Sequence, residues 1–89
     1  MLFVAVMNTK AGTSKERIGW RLNCDYPEGM NPVGEYWLQT PKPSCISVVE
    51  TDSVATMMQA IADWDDVFEI SMFPAVMAEE GMELACRMM

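Results

Sequence analysis

Histidine is missing from all 89 residues. That removes the commonest general base near neutral pH and the commonest transition-metal ligand together. Basic residues are scarce as well: six Lys and Arg stand against 13 Asp and Glu, a net charge of -7 at pH 7. A chain this acidic repels phosphate backbones and anionic lipid surfaces, so neither nucleic acid nor membrane is expected as a partner. The few cations are scattered and do not interleave with aromatics. Cysteine is limited to Cys24, Cys45 and Cys86, an odd number with no C-x-x-C pair. Neither a disulfide framework nor a zinc knuckle is indicated, and a reducing, cytoplasmic setting is expected. The N-terminal "MLFVAVMN" offers an apolar run of only about seven residues without a positive flank, too little for a secretory leader or a bilayer span. No internal repeat or low-complexity stretch is present.

What remains is 51% hydrophobic and 21% charged, the balance of a globular chain, and its length suits one domain over residues 1–89. "LFVAVMN" (Leu2 to Asn8) is short, rich in β-branched residues and bounded by "TKAGTS", so it reads as a strand. Thr13 and Glu16 have capping-box spacing for a helix running to about Asn23. Ile18 and Leu22 are expected on its buried stripe, with Trp20 nearly opposite. "DYPEGMNP" is turn chemistry, "VGEYWLQT" a second strand, "PKPS" a turn, and "CISVVE" a third strand. Asp52 or Ser53 is placed to cap a second helix, where Val54, Met57, Met58 and Ile61 recur at i, i+3, i+4 and i+7. "VFEISMF" reads as a fourth strand stopped by Pro74, and "AEEGMELACRMM" as a short, marginal helix. The order β-α-β-β-α-β predicts an α+β, ferredoxin-like fold: a four-stranded antiparallel sheet with two helices on one face, plus a short C-terminal helix.

Particular residues carry a family resemblance. Met1-Leu2-Phe3, the Pro27-Glu28-Gly29 turn before a strand bearing Trp37, Glu50-Thr51-Asp52, Trp64-Asp65-Asp66, Phe68-Glu69-Ile70 and Pro74 resemble the pattern of a small prokaryotic family, domain of unknown function 3303. The resemblance spans nearly the whole chain and is most specific in its second half. It implies a ferredoxin-like subunit of the dimeric α/β-barrel kind and no assigned activity.

Four features compete as sites. Asp63, Asp65 and Asp66 could hold a hard cation, but "DWDD" has no glycine and none of the alternating ligand spacing of a calcium loop, so a solvated helix end is the preferred reading and no metal is expected. Trp37 and Trp64 could wall a small-molecule pocket or fill the core. Glu69 and Glu35, inside otherwise apolar strands, could act as bases or simply mark wet faces, and Arg17 or Arg21 could pair with either. The ten methionines read as gap-fillers. The candidate ligand-binding set is therefore Trp37, Ser47, Trp64 and Glu69, in a cleft between helices and sheet.

No catalytic residue and no cofactor is indicated. "LFVAV" and "CISVV" are apolar on both faces, whereas helices on one side would cover only one, so a second copy is expected to cover the other. The first functional expectation is a homodimeric scaffold or a module for a small apolar molecule. The alternative, which rests on the related dimeric α/β-barrel families, is a cofactor-independent enzyme of monooxygenase or isomerase type using the same cleft.

Overall fold

A computed structural model describes residues 1–40 and 42–89; Pro41, in the predicted "PKPS" turn, lies outside the described residues. The elements are β1 (Leu2–Thr9), α1 (Ser14–Asn23), β2 (Asn31–Trp37), β3 (Cys45–Glu50), α2 (Val54–Trp64), β4 (Phe68–Ala75) and α3 (Ala78–Met88). All pairings are antiparallel and the strand order is β2-β3-β1-β4. This is the expected α+β, ferredoxin-like sheet: β1, the most apolar strand, lies inside it, and the Pro-bearing strands β2 and β4 form its edges.

Registration sorts the side chains. Ala5 lies opposite Ser47 and Met72, Met7 opposite Cys45 and Ile70, and Glu35 and Trp37 opposite Ser47 and Cys45. These residues share one face, and α1 and α2 both lie over it, because Arg17, Arg21, Ala60, Ile61 and Trp64 border the same cavity as they do. The buried core is thin. It consists of Ala5, Met30, Cys45, Val49, Val67 and Phe68 with the polar Ser44, Ser47 and Thr51, and neither helix buries a residue fully.

Several local expectations are corrected. Ile18 and Leu22 are 42% and 77% exposed, and Arg17 and Arg21 take the inward positions of α1 instead. Both pairs have the i, i+4 spacing, so periodicity alone could not choose between them. The choice falls to tertiary partners, since Arg21 meets Glu35 and Arg17 meets Trp37. The stripe of α2 is likewise rotated: Val54 and Met58 are exposed, and Met57, Ala60, Ile61 and Trp64 form the half-buried i, i+3, i+4, i+7 set. Thr13 makes no side-chain cap. Its hydroxyl instead donates to the Lys10 carbonyl at 2.7 Å. Ser53, not Asp52, caps α2 by accepting from the Thr56 amide at 3.1 Å. Pro74 does not stop β4, which runs on to Ala75, because an edge strand tolerates a missing N–H.

The far side of the sheet presents Val4 and Val6 of β1, Ile46 and Val48 of β3, Tyr36 of β2 and Phe73 of β4. The C-terminal helix does not fold back over them: every residue of α3 except Gly81 is exposed. The projecting helix raises the radius of gyration to 14.6 Å, against roughly 12 Å for a compact domain of this length.

Candidate functional site

The cavity between the two helices and the sheet amounts to about 70 Å³, where one water needs roughly 10–15 Å³ on the same measure. Its floor is built by strand alternation: Ala5 and Met7 from β1, Ser47 from β3, Ile70 and Met72 from β4. Trp64 closes it from the end of α2, standing edge-on to Trp20 at 6.4 Å and tilted against Phe68 at 5.6 Å. α1, Tyr26 in the segment leading to β2, and β2 itself supply the polar wall.

Glu35 is the centre of that wall. Arg21 Nε donates to both of its oxygens at 3.0 and 3.1 Å. Tyr26 donates its hydroxyl to Oε1 at 2.6 Å, and Trp37 its indole N–H to Oε2 at 2.6 Å. Since the single phenolic proton goes to Glu35, the 2.6 Å contact between Tyr26 and Ser47 must be donated by the serine. Ser47, only 1% exposed, is thereby satisfied.

The electrostatics follow from this geometry. Burial works against ionising Glu35, but the bonds from Tyr26, Trp37 and Arg21 outweigh it and hold the carboxyl below its usual range. Burial, reinforced by the bond to Glu35, pushes the Tyr26 phenol up to about 12. Burial likewise pushes the Cys45 thiol up to about 11, with Glu35's charge adding to the effect, which makes it an unreactive group at neutral pH. At neutral pH Glu35 is thus ionised, and Tyr26 and Cys45 are protonated.

Of the four sequence-predicted ligand residues, Trp37, Ser47 and Trp64 meet at the cavity. Glu69 does not. On β4, opposite Asn8 of β1, it is exposed on the other face of the sheet, because its strand turns Phe68, Ile70 and Met72 inward and so sends Glu69 outward. Arg17, Arg21, Tyr26 and Glu35 complete the site. Arg17 and Arg21 at i, i+4 on a helix and Glu35 and Trp37 at i, i+2 on a strand have spacings compatible with one site, although the arginine spacing does not by itself single out that face of α1. Tyr26 lies in a turn and gave no periodic signal.

Asp63, Asp65 and Asp66 are all exposed. Asp63 accepts from Gln59 on its own helix at 2.7 Å, and Lys10 reaches the carbonyl oxygen of Asp65 rather than its carboxylate. No metal-holding group of three or more ligating side chains occurs among the described residues.

With this geometry in place, comparison with known proteins adds one finding. Residues 1–88 match the model of the family described as Domain of unknown function (DUF3303). The chain belongs to DUF3303. No curated protein and no solved structure matches this DUF3303 chain. No helix among the described residues is long and apolar enough to cross a membrane.

Proposed function

We propose that this DUF3303 chain is a homodimeric binding module that holds a small, largely apolar molecule between its helices and its sheet. The observation that carries the proposal is the cavity itself. A domain of this size packs its interior densely unless space is used, yet here neither helix seats a residue fully, and about 70 Å³ stays open beneath two tryptophans. Binding is favoured over the enzyme alternative because the ionisable groups are fixed rather than poised. The lone pairs of Glu35 are engaged by three donors, the Tyr26 proton is committed to Glu35, and the Cys45 thiol stays protonated.

Self-association is supported by the uncovered apolar sheet face. The surface area of 6331 Å² exceeds by roughly 1,100 Å² the area expected of a monomer of this mass. Part of that excess belongs to the projecting helix α3, and a standard interface over the sheet face would remove about 800 Å² from each partner. The -7 charge opposes pairing, but it is screened beyond about 8 Å at physiological salt. A cytoplasmic location is part of the same proposal and is supported by the free thiols of Cys24, Cys45 and Cys86.

Native mass spectrometry of the gently purified protein tests the reading. Twice the 10.0 kDa chain mass, with an additional small mass shed on activation, is the expected spectrum. Val48→Lys, on the uncovered face, should shift it to single chains. A stable single chain without any adduct would contradict the proposal.

A further inference from the structure

The two arginines of the pocket are in different electrical circumstances. Arg21 is neutralised by Glu35. Arg17, one turn earlier on the same face of α1, has no carboxylate within ion-pairing distance among the described residues. Its Nε is buried and has no hydrogen-bond partner among them. Its Nη1 reaches the Thr9 hydroxyl only at 3.4 Å, and its guanidinium lies 5.1 Å above the Trp37 ring. A neutral oxygen and an aromatic face attract a cation without cancelling its charge.

Guanidinium cannot shed its proton to escape burial, as a lysine or a carboxyl can. The charge therefore persists inside a cavity whose other walls are Ala5, Met7, Trp64, Ile70 and Met72. The remaining charged group at the cavity is Asp25, which is exposed and whose Oδ1 accepts from the Tyr26 amide at 2.9 Å. One uncompensated fork of N–H donors beside an apolar space is complementary to one class of molecule.

We propose that the ligand is a small monocarboxylic acid, its carboxylate paired with Arg17 and its apolar body packed against Trp64 and the sheet. This rests on the reading of the cavity as a small-molecule site. It goes further by assigning the ligand one negative charge, carried by a carboxylate and placed against Arg17. The protein's overall negative charge slows the approach of an anion, but the contact pair, formed in partly desolvated surroundings, outweighs that screened repulsion.

The test compares benzoate, phenylacetate and hexanoate with their primary amides, by calorimetry and by the fluorescence of Trp37 and Trp64. The unaltered protein should bind at least one acid tighter than its amide, by on the order of ten- to a hundredfold. Arg17→Gln should abolish that preference while still binding the amide, which also shows that the variant is folded. Arg17→Lys should restore part of it. Lys15→Gln, the same charge change at an exposed position of the same helix, should leave the preference intact. Equal binding of acids and amides by the unaltered protein would overturn the carboxylate assignment and leave the cavity reading standing, as would a preference that survives Arg17→Gln. Binding of neither series would remove the cavity reading and the assignment together.

Discussion

Replacing Glu35 by alanine removes the acceptor from three donors at once, and its effect can be worked from the contacts. Arg21 would be left as a half-buried cation, with Tyr26 and Trp37 each missing a bond of 2.6 Å. Truncating one partner of a fully buried ion pair costs about 3–5 kcal/mol. Here the side chains are 32% and 20% exposed, so Arg21 can swing toward water and the indole of Trp37 can find solvent. Discounted for that relief, the loss should be about 2–4 kcal/mol for Glu35→Ala and about 1–2 kcal/mol for Glu35→Gln, which keeps an acceptor oxygen but not the charge. At about 4–8 °C per kcal/mol for a domain of this length, Glu35→Ala should lower Tm by about 10 °C or more.

Urea denaturation at pH 7, followed by tryptophan fluorescence, reads these numbers directly. The pH dependence has a definite sign. The folded-state pKa of Glu35 lies below its ordinary value of 4.5, so its contribution is present above 4.5 and is lost as pH falls through the lower folded value. The stability gap between the unaltered protein and Glu35→Gln should therefore close as pH drops below that ordinary value. A Glu35→Ala protein within about 0.5 kcal/mol of the parent, or a gap indifferent to pH, would refute the claim that Glu35 organises the pocket wall.

Three further outcomes are expected. Tyr26 should ionise only near pH 12 in an ultraviolet titration. Because its folded value is raised from 10.0, its stabilising share should be intact below pH 10 and be lost as pH climbs toward 12, and an ordinary phenol midpoint would contradict the bond to Glu35. Trp64→Ala should cost about 2–4 kcal/mol, somewhat less than a fully buried tryptophan, since the ring packs on Trp20 and Phe68 but also borders the cavity. An unchanged melting temperature would show that the ring is not structural. Calorimetric titration with Ca²⁺, Mg²⁺ and Mn²⁺ should find nothing tighter than about millimolar, and a micromolar site lost in Asp65→Ala would overturn the reading of "DWDD" as a solvated helix end.

The order of elements and the apolar character of both faces of β1 and β3 could be read from the residues, because strand periodicity and turn chemistry are local signals. The face of α1 could not. Ile18 and Leu22 make as good a stripe as Arg17 and Arg21, and only the positions of Glu35 and Trp37 on a strand eight or more residues further on decide which pair turns inward. Glu69 lies away from the cavity for a related reason. Its strand was legible, but which alternate set faces the helices depends on register with β1, and that placed Phe68, Ile70 and Met72 inside. Trp37 and Trp64 stood out as large aromatics and Ser47 as the polar residue inside an apolar strand, while the face each one takes comes from the register of the sheet and the packing of α2. Tyr26 did not stand out, since a turn residue joins a site through tertiary geometry alone.

The central claim, that the space between helices and sheet holds a small molecule, is tested most directly by the methionine methyl groups. Met7, Met30 and Met72 border the cavity, whereas Met58, Met82, Met88 and Met89 are exposed away from it. Methyl NMR of protein labelled at methionine, titrated with phenylacetate, hexanoate and their amides, reports both sets in one spectrum. Saturable shifts are expected at Met7, Met30 and Met72, with the exposed methyls unmoved. Shifts confined to the exposed methyls, or none at all, would contradict the claim.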